Sequence, residues 1–358
     1  MSNISKHTIL SNKTIKQALE KINAFDLNNP LVLFVINNSG QVIGTLTDGD
    51  IRRGLIKGVS INDTLDNIMK KDFRYFTNLC DFEEFNEYKE LDLKIVPLLD
   101  NEKRLVDLIN LSKLKAILPV DAVIMAGGKG VRLKPYTNDI PKPMLELAGK
   151  PILAHNIDRL LIYGIKNIYI SVNHLKEQII EFVKKNYSSI NIKFIEENSP
   201  LGTIGSLSLV DKWVNNDILV MNADILTNID FYDFFVNYRN FKDDMSIATF
   251  NTRINIPYGI LDTTDKKINS LIEKPSFNYY SNAGIYLLKK EMLKYIPQNQ
   301  KFDSTELMET LIDEKKKVSH FPIRGYWLDM PLNYFLIKMQ ILFVLFVKQI
   351  IRRFGVIL

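Results

Sequence analysis

From Asp121 onward the chain alternates short apolar runs with amphipathic stretches. AVIMAG, NIYISVN, IKFIEE and DILVMNAD have strand length, while residues 151–164, with Leu153, Ile157, Leu160 and Leu161 on one face, and LKEQIIEFVKKN read as helices. Strands that recur with a helix between them pair in parallel and are covered on both faces. The alternation therefore predicts an α/β fold around a mostly parallel sheet. Ligands of such sheets gather at the carboxyl ends of the strands. Small and polar residues sit there, Ala126-Gly127-Gly128 after the first strand and Asn222-Ala223-Asp224 after DILVM. The aromatic residues at 231–235 are read as core.

At 358 residues the chain exceeds what one core usually serves, so two domains are expected. A net charge of +5, without a basic stripe carrying interleaved aromatics, gives no sign of a nucleic-acid partner. The single cysteine, Cys80, allows no internal disulfide, and there is no C-x-x-C or Cys/His cluster for zinc. The start, MSNISKHTIL, lacks the apolar core of a signal peptide, which predicts a cytoplasmic protein. Near the end, the apolar run at 341–347 is far short of the ~20 residues of a membrane span. Lys338, Lys348, Arg352 and Arg353 around it allow an interfacial helix, but a helix packed on the protein itself or on a second subunit is the preferred reading.

Residues 33–51 and 96–114 align without a gap, Val42 falling over Leu105, and both read as strand, Asn/Asp turn, strand, then the start of a helix. Two copies of one β-rich unit predict a pseudo-two-fold α+β domain over 1–118. The first copy carries GTLTDGDIRR, which resembles the end of a CBS motif. That resemblance implies a tandem CBS pair that regulates or dimerises the protein. Thr47 would cap the following helix and present its hydroxyl, Asp50 would accept from the ribose of an adenine nucleotide, and Arg52 or Arg53 would meet phosphate. The second copy has Asp107, Asn110 and Lys113 at the matching places, so any adenine nucleotide would bind mainly through the first. A module for docking or self-association, giving a homo-oligomer, fits equally well.

Two standard glycine loops do not fit. No G-x-x-x-x-G-K-[ST] exists, and Gly128-Lys129-Gly130 continues Val131-Arg132-Leu133, without the third glycine of a dinucleotide fingerprint. What remains is a strand, GGKGVRL, and then Pro141-Lys142-Pro143. Glycines let backbone N–H groups close on phosphate oxygens. Arg132 adds a charged fork, and the flanking prolines hold Lys142 in place.

This pattern resembles the signature of the sugar-1-phosphate nucleotidylyltransferases, G-G-x-G-[ST]-R-L followed by P-K-P, with Val131 where that family carries Ser or Thr. ENSPLGTIGSL, from Glu197, resembles the loop that meets base and ribose. Asn222-Ala223-Asp224 resembles N-G-D, whose aspartate holds magnesium. Tyr258-Gly259, Glu273-Lys274-Pro275 and Asn282-Ala283-Gly284 resemble the sugar-phosphate pocket, and Trp327-Leu328-Asp329 the second metal aspartate. The resemblance runs from Asp121 to about Asp329 and predicts a catalytic domain over 121–333 of Rossmann-like, GT-A type. Beyond it Met330-Pro331-Leu332-Asn333-Tyr334 departs from the usual W-L-D-[IV]-G-x-P-x-D-Y, leaving an apolar tail at 334–358. A shifted reading frame and natural divergence both produce such an end.

The resemblance implies attack of a sugar-1-phosphate oxygen on the α-phosphorus of an NTP. Ala126, Gly127, Gly128, Gly130, Gly202 and Thr203 would bind nucleotide. Arg132 and Lys142 would be catalytic, stabilising charge on the leaving pyrophosphate. Asp224 and Asp329 would hold Mg2+, and Gly259, Glu273, Lys274 and Asn282 the sugar phosphate. The form of the ENSPLGT loop favours GTP. Tandem CBS repeats ahead of such a domain resemble bacterial guanylyltransferases that activate glucosamine-1-phosphate toward legionaminic acid and other surface glycans. Mannose-1-phosphate is the alternative acceptor, and a catalytically impaired nucleotide-sensing regulator the alternative class. His7, His155, His174 and His320 are scattered and receive no role.

Overall fold

The computed structural model describes residues 3–26, 30–77 and 82–329. Cys80, residues 330–333 and the tail at 334–358 lie outside the described residues. The chain separates into two compact units, Met1–Leu118 and Pro119–Leu358.

The first unit runs α1 (Asn3–His7), β1 (Thr8–Leu10), α2 (Ile15–Asn23), β2 (Val32–Ile36), β3 (Val42–Thr47), α3 (Asp48–Ile56), α4 (Phe82–Glu90), β4 (Ile95–Leu99) and β5 (Leu105–Asn110). Its repeat is visible in the hydrogen bonding. β2 and β3 pair antiparallel from Val32↔Thr47 to Ile36↔Val42, with a bulge between Val35 and Ile36. β4 and β5 pair from Ile95↔Asn110 to Leu99↔Leu105, with the bulge at the same place, between Leu98 and Leu99. The turns match as well. Asn37 Oδ1 accepts from the N–H groups of Ser39 and Gln41, and Asp100 Oδ1 from those of Glu102 and Arg104. Phe34 and Val42 share one buried cluster with Ile95 and Leu99, so each hairpin covers apolar surface of the other.

The copies part after their second strands. Thr47 caps α3 in a capping box with Asp50. After β5 there is only a turn at 111–113, not the expected helix start. The reason is chemical: a capping box needs an acceptor three residues past the cap, and Lys113 stands where Asp50 stands in the first copy. The Asn110 carboxamide instead accepts from the N–H of Ser112, closing a local turn.

The second unit contains β6 (Val120–Met125), a small hairpin of β7 (Glu146–Leu147) and β8 (Lys150–Pro151), α5 (Ile152–Ile162), β9 (Asn167–Val172), α6 (Lys176–Asn186), β10 (Ile192–Glu196), β11 (Asp217–Asn222), β12 (Ile225–Thr227) and α7 (Phe231–Phe241). β13 (Met245–Asn255), β14 (Ile260–Thr264), β15 (Lys267–Ile272), β16 (Ser276–Lys289), α8 (Ser304–Asp313), β17 (Val318–Pro322) and β18 (Trp327–Asp329) follow. Seven strands form one sheet in the order β10-β9-β6-β11-β16-β13-β17. The first four are parallel, β16 runs antiparallel to both β11 and β13, and β17 is parallel to β13. The sheet is thus mostly parallel, as expected, with one reversed strand.

β6 and β11 each bury five of six residues, as strands covered on both faces must. The one carboxylate buried inside β6, Asp121, is fully compensated. It accepts from the N–H of Val214 (2.7 Å) and of Asn215 (3.1 Å) and from the Asn215 carboxamide (2.7 Å), pinning the segment that enters β11. On α7, Phe231, Phe234, Phe235 and Tyr238 are buried, so the aromatic cluster is core. β13 and β16 outrun the sheet: their halves Thr249–Asn255 and Ser276–Asn282 pair as a largely exposed arm that carries the β14–β15 hairpin.

Candidate active site

β6 and β11 lie side by side with Met125 opposite Asn222, so the segments leaving their carboxyl ends are neighbours. The backbone seals the join: the Ala223 N–H donates to the Met125 carbonyl, and the Asn156 carboxamide to that of Ala223. Between these segments opens a cavity of about 430 Å³. Ala126, Gly127, Gly128, Gly130, Arg132, Lys142, Gly202, Thr203 and Asp224 all line it. Nine residues singled out in the sequence, from three separate loops, thus surround one space.

The glycines are needed for specific reasons. Gly130 has φ +61°, and a Cβ there would lie 3.0 Å from Thr137 Cγ2 and 3.1 Å from Lys142 Cβ. Thr137, itself buried, donates its hydroxyl to the Gly130 carbonyl (2.8 Å), which fixes the turn into the short 3-10 helix Val131–Leu133. A Cβ on Gly127 would come within 2.9 Å of Glu197 Oε1. Gly202, with φ +79°, packs against the Phe302 carbonyl and Asp303, and the Thr203 N–H donates to Asp303 Oδ1 (2.9 Å). The loop continues into a 3-10 turn, Gly205–Leu209.

Lys142 begins a 3-10 turn set up by Pro141 at φ −62°. Its Nζ forms an ion pair with Asp224 Oδ2, and the two side chains keep 16% and 21% of their exposure. Asp329 joins them through β18, which pairs antiparallel with β12 so that Asp329 faces Ile225, the residue after Asp224. Burial pushes the Asp329 carboxyl above its ordinary value and the charge of Asp224 adds to this, while Lys142 and Arg132 act in the opposite direction. Two carboxylates and two cations therefore share one electrostatic neighbourhood. Among the described residues no group of three or more His, Cys, Asp or Glu is placed to hold a metal ion. Two oxygen donors of this kind suit magnesium, which is commonly bound by one or two carboxylates with the remaining positions taken by phosphate and water.

Gly259, Glu273, Lys274 and Asn282 do not line this cavity; all four are solvent-exposed. Gly259 and Glu273 are adjacent, since a Cβ on Gly259 would lie 3.0 Å from Glu273 Oε2. Lys274 holds a left-handed φ of +45°, a conformation L side chains adopt only where the surroundings impose it. Asn282 sits where the arm enters the sheet. In the first unit, Thr47 and Asp50 satisfy each other: Asp50 Oδ2 accepts from the Thr47 N–H (2.9 Å) and hydroxyl (2.6 Å), and Asp50 Oδ1 from Arg53 (2.6 Å). The capping box accounts for both residue types without a ligand.

Glu197 opens the segment that resembles a base-binding loop but was not among the residues expected to bind nucleotide. It is 7% exposed and lines the cavity, although its neighbours Asn198, Ser199 and Pro200 read as surface loop. Ser171 donates to its Oε1 and the Leu201 N–H to its Oε2 (2.9 Å), so a carboxylate is held against the cavity wall. An acid three residues ahead of Pro200-Leu201-Gly202-Thr203 was the available signal.

No helix among the described residues is long and apolar enough to cross a membrane. The nucleotidyl transferase family profile matches residues 121–331. The chain is 30% identical over 220 residues to mannose-1-phosphate guanyltransferase 2 of Candida glabrata, covering 58% of this chain and 60% of that protein. It is 32% identical over 221 residues to the bifunctional protein GlmU of Methanococcus maripaludis, covering 59% and 51%. It thus spans less than two thirds of the length of these relatives. Among solved structures, HddC from Yersinia pseudotuberculosis superposes with a TM-score of 0.50 at 28% identity, covering 62% of this chain and 99% of that one.

Proposed function

The chain belongs to the nucleotidyl transferase family, and on that premise we propose that it transfers a nucleoside monophosphate from an NTP, GTP favoured, to a sugar-1-phosphate. A phosphate oxygen of the sugar forms a bond to the α-phosphorus, the bond from the α-phosphorus to its bridging oxygen breaks, and pyrophosphate leaves. The observation that carries this reading is the Lys142–Asp224 ion pair beside Arg132 and Asp329 at the wall of a glycine-lined cavity.

Both reactants are polyanions, and the attacking phosphate is already a competent nucleophile. The chemistry needs alignment and charge neutralisation rather than a base. Backbone N–H groups of Gly127 to Gly130 approach phosphate without side chains in the way. Arg132 and Lys142 offset charge on the departing pyrophosphate. Asp224 and Asp329 are the residues that would hold magnesium, which would supply charge neutralisation to the reacting phosphates. Lys142, held at the cavity wall by Asp224, is placed to meet phosphate. Glu273 and Lys274 contribute sugar and phosphate contacts from the arm.

Glu197 supports guanine. Its carboxylate only accepts hydrogen bonds, and guanine alone among the four bases presents two adjacent donors, N1–H and N2–H, on one edge. The relatives named mannose-1-phosphate guanyltransferase point the same way and support mannose-1-phosphate beside glucosamine-1-phosphate as acceptor. The paired hairpins of the first unit support a CBS-like module, with adenine-nucleotide binding or self-association as its role. Chromatography of a reaction with GTP, magnesium and either sugar phosphate tests the central reading. A GDP-sugar peak supports it; GTP consumed to GDP or GMP with no sugar nucleotide refutes it.

A further inference from the structure

The side chain of Asn282 is used in two halves. Its Nδ2 donates to Tyr286 Oη (3.0 Å), and its Oδ1 accepts from the Gly284 N–H (2.8 Å). A carboxamide has a second N–H and a second acceptor site, and Asn282 is solvent-exposed, so those remain available on the open side. Tyr286 behind it is 2% exposed. Its Oη lies 2.9 Å from Ser304 Oγ. Ser304, the first residue of α8, donates its N–H to Thr203 Oγ1 (2.8 Å) and accepts from the same hydroxyl (3.2 Å). A continuous hydrogen-bonded path therefore joins the cavity-lining loop at Thr203 to the root of the arm at Asn282.

The path has a fixed polarity. The Gly284 N–H can only donate, so it makes Asn282 Oδ1 the acceptor and leaves Nδ2 to donate to the Tyr286 phenol oxygen, which in turn meets Ser304 Oγ. Burial pushes the Tyr286 phenol above its ordinary value, the hydrogen bonds to Ser304 and Asn282 acting against this, so the proton stays in place at neutral pH. An Asn282 carboxamide turned the other way would set its N–H group against the Gly284 N–H, donor against donor. Gly284 and Tyr286 thus hold the two ends of the Asn282 carboxamide in one orientation.

We propose that Tyr286 is a positioning residue of the sugar-phosphate subsite: with the Gly284 N–H it anchors the Asn282 carboxamide and, through Ser304, ties it to the nucleotide loop at Thr203. This rests on the nucleotidyltransferase reading given above. Binding is tightened because the carboxamide is already aligned before the sugar arrives.

Tyr286→Phe removes only the hydroxyl and keeps the ring in its packing. With whichever of glucosamine-1-phosphate and mannose-1-phosphate the wild type accepts, KM and the calorimetric Kd are expected to rise about tenfold, as for one lost orienting hydrogen bond. KM for GTP and kcat should stay within about twofold. In an Asn282→Ala background the same change should add nothing, because the hydroxyl acts through that carboxamide. Unchanged sugar-phosphate affinity, a full additional loss in the Asn282→Ala background, or an equal rise in KM for GTP each overturns the inference alone. A wild type that neither binds nor turns over either sugar phosphate overturns the parent reading together with it.

Discussion

Lys142 and Asp224 stand 82 residues apart in the chain and form an ion pair with both side chains mostly buried. The pairing of β6 with β11 makes this possible, since it sets the ends of the two strands level at Met125 and Asn222. A lysine fixed by proline geometry and an aspartate fixed at a strand end meet without either side chain needing to search. That pre-alignment is what a reaction between two polyanions requires.

Arg132→Ala removes a cation that acts on the same carboxylate neighbourhood from the glycine loop. Turnover should fall roughly 10²–10³-fold, the size seen for loss of one donor to developing negative charge. Steady-state kinetics decides the matter. A variant with normal kcat and only a raised KM for the sugar phosphate would place Arg132 elsewhere in the reaction.

Gly130→Ala meets two obstacles at once, a left-handed φ of +61° and a Cβ at 3.0 Å from Thr137 and 3.1 Å from Lys142. The backbone strain alone costs about 1–2 kcal/mol. Thermal unfolding should show that loss, and KM for the nucleotide should rise because Lys142 is pushed. At Gly128, where a Cβ meets nothing within 4 Å, alanine should leave stability within about 0.5 kcal/mol.

Glu197→Gln keeps the shape of the side chain but turns one of its two acceptors into a donor. If the carboxylate reads guanine, kcat/KM for GTP relative to UTP should fall about tenfold, one hydrogen bond's worth. Equal loss with both nucleotides would make Glu197 a support for Ser171 and the Leu201 backbone and nothing more.

Asp50→Ala breaks the capping box of α3 and should cost the first unit about 1 kcal/mol. Burial alone would raise the Asp50 carboxyl, but hydrogen bonds from Thr47 and Arg53 outweigh it and hold the group below its ordinary value. Its stabilisation is therefore complete above about pH 4 and is lost as pH falls through the lower folded value. The variant should lack that part of the acid dependence. Titration with an adenine nucleotide gives the second readout: weaker binding in the variant supports a CBS-like ligand site, and wild type without binding leaves the unit a scaffold.

Much of this architecture was legible because local pattern and global packing agree. Runs such as AVIM and DILVM are apolar at every position, as only strands covered on both faces can be, and the gap-free offset between the hairpins survives as identical register and identical bulges. The reversed sense of β16 was not legible. A buried strand presents the same apolar run whichever way it points, and only its hydrogen-bond partners reveal direction. The missing second helix turned on one residue, Lys113 in place of an acceptor. Arg132, Lys142, Asp224 and the glycines, which line the cavity, could be picked out from strand-end position and from the resemblance of their motifs. Glu197 could not, because its burial depends on Ser171 and Leu201 closing over it. The link from Asn282 to Thr203 joins two motifs that sequence spacing had kept apart.

The most direct test is pyrophosphate release from purified protein with magnesium, across four NTPs and a set of sugar-1-phosphates, with Asp224→Asn alongside. Release confined to GTP with glucosamine-1-phosphate or mannose-1-phosphate, and abolished in the variant although it remains folded, is the predicted result. Silence across the whole grid while nucleotide still binds, or near-normal release from Asp224→Asn, would contradict it.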